Sequence, residues 1–81
     1  MAFREQQKSV SNLLRGLRMS AGLRQIDVAD HLGVPQSFVS KYESGERRLD
    51  IVEIRSLCKL FGISLTEFVK RLDEAQLRGS K

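Results

Sequence analysis

One histidine, His31, and one cysteine, Cys58, set the limit on the covalent chemistry open to this chain. Nucleophilic or acid–base catalysis needs a His–carboxylate–nucleophile set, and the sequence spaces none; it has no glycine-rich phosphate loop either. A lone thiol with a lone imidazole cannot fill a tetrahedral zinc site, and one cysteine excludes an intramolecular disulfide. The chain is therefore not expected to be an enzyme, and no metal, cofactor or small-molecule ligand is expected. His31 falls on the outer face of its helix as a solvent-exposed neutral imidazole. Cys58 reads as a small buried hydrophobe rather than a redox sensor. The charge points elsewhere. Fourteen Lys and Arg against ten Asp and Glu give +4 and a pI near 9.7, which favours a polyanionic partner. The excess is uneven: the first 22 residues carry Arg4, Lys8, Arg15 and Arg18 against Glu5, whereas the stretch from Arg24 to Arg48 cancels.

The elements that must position any such interface are helical. Eighty-one residues with one proline and an ordinary share of apolar side chains make one small globular domain. No apolar run approaches the ~18 residues of a membrane span, and the N-terminus is polar where a signal peptide would be apolar; the expected location is the cytoplasm. Val10, Leu13, Leu14 and Leu17 follow the i, i+3, i+4, i+7 pattern of a first amphipathic helix ending near Gly22. Ile26, Ala29 and Leu32 define a short second helix, stopped by Gly33. A third begins at Pro35, tolerated in a first turn, and runs to about Glu43 before Gly45. Asp50 with Glu53, and Ser64 with Glu67, are spaced as two capping boxes, flanked by Leu49 with Ile54 and Ile63 with Phe68 as hydrophobic staples. Helix four is expected to bury Ile51, Ile54, Leu57, Cys58 and Phe61. Helix five offers Leu65, Phe68, Val69 and Leu72. The fold class predicted is all-α, a compact five-helix bundle. Residues 10–75 form the domain, residues 1–9 an N-terminal extension able to continue helix one, and residues 76–81 a frayed tail.

Within this frame, residues 25–45 have spacings with a mechanical meaning. Two short helices crossing steeply need a small side chain at the crossing, which Ala29 supplies. The turn between them needs a residue at ease with positive φ, which Gly33 supplies. The second helix must send one apolar side chain into the core behind it, and Val39 is so placed. Together these predict a helix-turn-helix whose second helix enters the DNA major groove. The segments Leu14–Arg18, Gly22–Gln25, Val28–Ala29, Leu32–Val34, Val39–Ser40, Glu43–Arg47 and Phe61–Ser64 resemble the Cro and phage-repressor (XRE) helix-turn-helix family over roughly Val10 to Leu72. Two positions depart from its pattern. Arg24 stands where Thr or Ser commonly caps helix two, and Leu49 where proline is frequent.

The resemblance implies a lambda-repressor-like DNA-binding domain, usually a homodimer on a palindromic operator in double-stranded DNA, regulating transcription as a repressor or autoregulator. Carried over by position, Gln36, Ser37 and Lys41 correspond to the family's base-reading residues, with Ser40 a fourth candidate that could instead face a phosphate. Their spacing lets them share the outer face of helix three. Gln suits the N6 and N7 edge of adenine and Lys the O6 and N7 edge of guanine. Gln25 corresponds to a phosphate contact at the start of helix two, and Arg24, Arg47 and Arg48 are further phosphate candidates. Arg18 and Glu43 match a charged pair that the family buries between helices one and three. Phe38 is open between core packing, stacking on a sugar and touching a thymine methyl. Tyr42 is expected to pack its ring at the end of helix three with its hydroxyl in water. Leu60, Val69, Leu72 and Leu77 are apolar surface beyond what one small core uses, and are the expected dimer surface. A different class of function, an antitoxin or other protein-interaction module with secondary DNA binding, shares these features. The short segment after Leu72 leaves it little room for a partner-binding arm.

Overall fold

The computed structural model describes the backbone of residues 3–79 and the side chains of residues 3 and 5–75. Five helices follow in order: α1 (Phe3–Ser20), α2 (Gln25–Leu32), α3 (Gln36–Ser44), α4 (Ile51–Phe61) and α5 (Leu65–Gly79). No strand occurs among the described residues. Helix α1 packs against α3, α4 and α5, α2 against α3, and α4 against α5. Each helix contributes to one core of Leu14, Leu17, Val28, Ala29, Val39, Tyr42, Leu57, Cys58 and Phe68.

Local chemistry fixes where the helices start and stop. Asp50 Oδ1 accepts from the Glu53 N–H at 2.8 Å, and Glu53 Oε1 accepts from the Asp50 N–H at 2.9 Å, so α4 begins with a reciprocal capping box. Ser64 Oγ accepts from the Glu67 N–H at 3.0 Å to start α5, while the Glu67 carboxylate accepts from Arg71 one turn on. Helix α2 has no hydroxyl cap. The Asp27 carboxylate accepts from the Arg24 N–H at 2.8 Å and from the Arg24 guanidinium at 2.9 and 3.1 Å, tying down the first turn from inside. Gly33 closes α2 at φ 70°, with the Val34 N–H donating to the Ala29 carbonyl. A side chain at Gly33 would meet no neighbour, so the positive φ alone calls for glycine.

Two boundaries differ from the sequence reading, the start of α3 and the end of α5. Pro35 is the residue before α3 rather than its first: its ψ of 153° is extended, and its carbonyl accepts from the Phe38 N–H. Helix α5 runs on to Gly79, into the segment of residues 76–81 expected to fray, while α1 begins at Phe3, within the extension read as able to continue helix one. Ser80 and Lys81 lie outside the described residues. Helix four also buries less than expected. Leu57 and Cys58 are fully inside and Ile54 and Phe61 partly so, but Ile51 is 59 % exposed. Ile51 is the first helical residue after its cap, at the rim of the bundle, where the core stripe has not yet begun. Among the described residues, no helix is long and apolar enough to cross a membrane, and no group of His, Cys, Asp and Glu is placed to hold a metal ion.

Candidate nucleic-acid interface

The nine-residue α3 has two distinct sides. Val39 and Tyr42 are buried, Phe38 and Glu43 are half-buried, and Gln36, Ser37, Ser40 and Lys41 are exposed. The exposed four sit at i, i+1, i+4 and i+5, which on a helix is one contiguous polar strip. At the far end Gly45 adopts φ 86°, and the Glu46 and Arg47 N–H groups both donate to the Lys41 carbonyl. The chain thereby turns sharply and leaves Arg47 and Arg48 beside the end of α3.

Behind the strip lies a nearly buried ion pair. Arg18 Nε donates to Glu43 Oε2 at 2.7 Å, Arg18 Nη2 to Glu43 Oε1 at 3.1 Å, and Arg18 Nη1 to the Leu23 carbonyl at 2.8 Å. The two side chains are only 12 % and 4 % exposed. Hydrogen bonding to Glu43 pushes the Arg18 guanidinium above its ordinary range, against the opposing effect of burial. Such a bidentate pair fixes orientation as well as distance, so α3 is held at a set angle to α1. Glu43 Oε1 also accepts from Gln25 Nε2 at 3.1 Å, and Gln25 Oε1 lies 3.5 Å from Gln36 Nε2, a longer and weaker contact. A polar relay thus runs from α1 through Glu43 and Gln25 to Gln36 on the exposed strip.

The other phosphate candidates differ in how free they are. Arg48 is exposed and in no ion pair among the described residues. Arg24 is exposed but bonded to Asp27, which holds the Asp27 carboxyl below its usual range and Arg24 above its own. The Arg47 guanidinium lies 4.3 Å from the centre of the Phe38 ring, with Nη2 3.5 Å from Glu53. Phe38 packs edge-on to Tyr42, ring centres 6.1 Å apart at 78°, and lines a small cleft of about 160 Å³ with Leu32, Val34, Val52 and Leu57. Of its three open roles, partial packing under Arg47 is the one the free protein adopts. Gln25 spends one amide hydrogen on Glu43 and has a second on the same nitrogen.

Tyr42 departs from expectation. Its hydroxyl is not in water: the residue is 1 % exposed, and the hydroxyl is buried with no hydrogen-bond partner among the described residues. Burial pushes the phenol well above its ordinary pKa. His31 is exposed and Cys58 buried, with the thiol pushed up by desolvation. On the expected dimer surface Val69 is 44 % exposed, whereas Leu60 and Leu72 are half-buried against the core; the side chain of Leu77 lies outside the described residues. Sequence reasoning missed the contact between Gln25 and Gln36. Eleven residues separate them on different helices, and only the packing of α2 on α3 brings them together.

Comparison with known proteins agrees with this geometry. The helix-turn-helix family matches residues 14–68. An XRE-family-like protein from Pseudomonas syringae pv. tomato superposes with a TM-score of 0.79 at 37 % identity, over 88 % of this chain and 87 % of that one. The restriction-modification controller protein C.Esp1396I superposes with a TM-score of 0.82 at 23 % identity, over 95 % and 99 % of the two chains, which establishes the shared fold. A segment of the glutamine–fructose-6-phosphate aminotransferase of Methanocaldococcus jannaschii is 33 % identical over 67 residues; these are 79 % of this chain but only 6 % of that protein, too small a part to carry its chemistry. With five helices in the lambda-repressor-like arrangement and the motif matched from Leu14 to Phe68, the chain belongs to the XRE-type helix-turn-helix family of DNA-binding regulators.

Proposed function

We propose that the protein is a sequence-specific, homodimeric transcriptional regulator, acting in the cytoplasm as a repressor or autoregulator, with α3 as its recognition helix in the major groove. One observation carries this reading. The helix that carries the exposed strip of Gln36, Ser37, Ser40 and Lys41 is held at a set angle by a bidentate ion pair, and Gln36 touches Gln25, which is bonded to the same Glu43. A helix held this way can present side chains to base edges with little ordering of its backbone left to oppose binding. Gln36 offers the acceptor and donor pair that suits adenine N6 and N7, Lys41 offers donors that suit guanine O6 and N7, and Ser37 and Ser40 supply shorter hydroxyl contacts. Gln25, Arg24, Arg47 and Arg48 flank the strip as phosphate contacts that set its register. Arg48 and the second amide hydrogen of Gln25 are free to do so directly. Arg24 and Arg47 must exchange or share their present partners.

Val69, with the half-buried Leu60 and Leu72, supplies an apolar surface for a two-fold contact, and Leu77, whose side chain lies outside the described residues, is the fourth residue of the expected surface. In such a dimer two recognition helices stand about 34 Å apart, one turn of the duplex, matching a palindromic operator. Relatives offer support from outside the chain: C.Esp1396I, 23 % identical, is known as a tetramer with its natural 35-base-pair operator. With about 5 phosphates neutralised per subunit, the log–log salt slope of a dimer is expected near −9. Footprinting on genomic fragments at low salt tests the reading. A short protected site with two similar half-sites is expected, and uniform coverage or no protection would contradict it.

A further inference from the structure

Helix α1 carries cations beside α3 that the polar relay does not use. Arg15 follows Lys8 by seven residues, two turns and about 10 Å further along the same side of the helix. Between α1 and α3 a hollow of about 290 Å³ is lined by Arg15, Ser40 and Ser44 together with the relay residues Arg18, Gln25 and Glu43. A second hollow, of about 390 Å³, is lined by Gln7, Lys8, Gly45, Glu46 and Arg48, and again by Ser44. Ser44 belongs to both, so the two form one trough along the α1–α3 boundary, next to the strip of α3. Lys8, Arg15 and Arg48 are exposed, and none is in an ion pair among the described residues. Two acids reach the trough. Glu43 is already committed to Arg18 and Gln25, which leaves Glu46 against three free cations.

We propose that this trough is a phosphate track: the backbone of one DNA strand bordering the major groove runs along α1, with Arg15 and Lys8 on one wall and Ser40 and Arg48 on the other. The inference rests on the reading of α3 as the recognition helix and extends the contact surface to the N-terminal half of α1. Spaced cations with a hydroxyl between them suit a run of phosphates and carry no sequence information. Arg15 falls within the residues that match the family and Lys8 outside them, so only the Lys8 end of this wall belongs to the chain's own extended α1. Glu46 opposes the track and sets its strength. The competing role for these side chains is internal, with Lys8 reaching across to Glu46 and no DNA contact.

The test measures binding to a long duplex of mixed sequence over a range of salt concentrations, for the full chain and four variants. Lys8→Gln and Arg15→Gln are each expected to flatten the log–log salt slope by about 0.9 per bound subunit. Glu46→Gln is expected to tighten binding to every sequence alike. Lys59→Gln, a neutralisation on α4 that lines neither hollow, is the control. If the unaltered protein binds no duplex at low salt, the reading of α3 fails and the track fails with it. If it binds, and Lys8→Gln and Arg15→Gln keep the slope of Lys59→Gln, only the track is overturned. A change at Arg15 without one at Lys8 also overturns it, since the contact then stops short of the second hollow.

Discussion

The half of the molecule built from α2, α3 and the facing side of α1 adds a network of polar contacts to its apolar packing, whereas the half built from α4 and α5 is ordered by capping and apolar burial. In the first, Glu43 takes three hydrogen bonds, two from Arg18 and one from Gln25, and the relay ends on an exposed glutamine. In the second, Leu57, Cys58 and Phe68 are buried, and Asp50 and Ser64 cap the helices that carry them. Polar contacts are directional and fix an angle, while apolar packing fixes proximity. The reading half needs an angle and the supporting half needs cohesion, so damage to each should look different.

The largest effect is expected at the buried pair. Glu43→Ala leaves Arg18 without its partner at 12 % exposure, and Gln25 without its acceptor; a loss of about 3–5 kcal/mol is expected. Thermal melting measures it, and an unchanged melt would reduce the pair to a surface contact. In the other half, Leu57→Ala removes a fully buried side chain, with an expected loss of about 2–5 kcal/mol from transfer and cavity together. Chemical denaturation measures that loss. At temperatures where this variant remains folded, its base preference should match that of the unaltered chain, because nothing in α3 has changed.

Gln36→Ala reverses the pattern. The residue is exposed, so the melt should hold, while binding to the preferred duplex weakens by about 1–3 kcal/mol through one lost bidentate contact. Titration of matched and singly altered duplexes shows whether the loss is confined to one base pair. The smallest effect is expected at Tyr42, on the buried side of α3. Tyr42→Phe removes a buried hydroxyl that has no partner among the described residues, and should stabilise the protein by about 1 kcal/mol. Because burial raises the Tyr42 pKa in the folded chain, its contribution to stability is complete below the ordinary phenol value near 10 and declines as pH rises above it. Melts taken above pH 10 should therefore fall less steeply for Tyr42→Phe than for the parent.

These residues also show what the sequence discloses. The helix starts at Asp50 and Ser64 are written in local spacing, as is the stop at Gly33, because each depends on residues within one turn. The core stripe of Leu14, Leu17, Leu57 and Phe68 is likewise periodic. Ile51 fits the same period yet stays exposed, because periodicity says which side a residue faces and not whether the neighbouring helix reaches that far. The facing of Arg18 and Glu43 across 25 residues is legible only through resemblance to a family. The glutamine relay, the buried Tyr42 hydroxyl and the α1–α3 trough are products of how helices pack, and no spacing along the chain announces them.

In the proposed function α3 reads bases through its exposed strip, of which Lys41 is one member. Selection of duplexes from a randomised pool by the unaltered chain and by Lys41→Ala measures this most directly. A preferred site with two half-sites is expected for the unaltered chain. For Lys41→Ala, preference should relax at one position in each half-site and persist at the others, with the melting curve unchanged. Identical preferences from the two proteins at every position would contradict α3 as the reading helix.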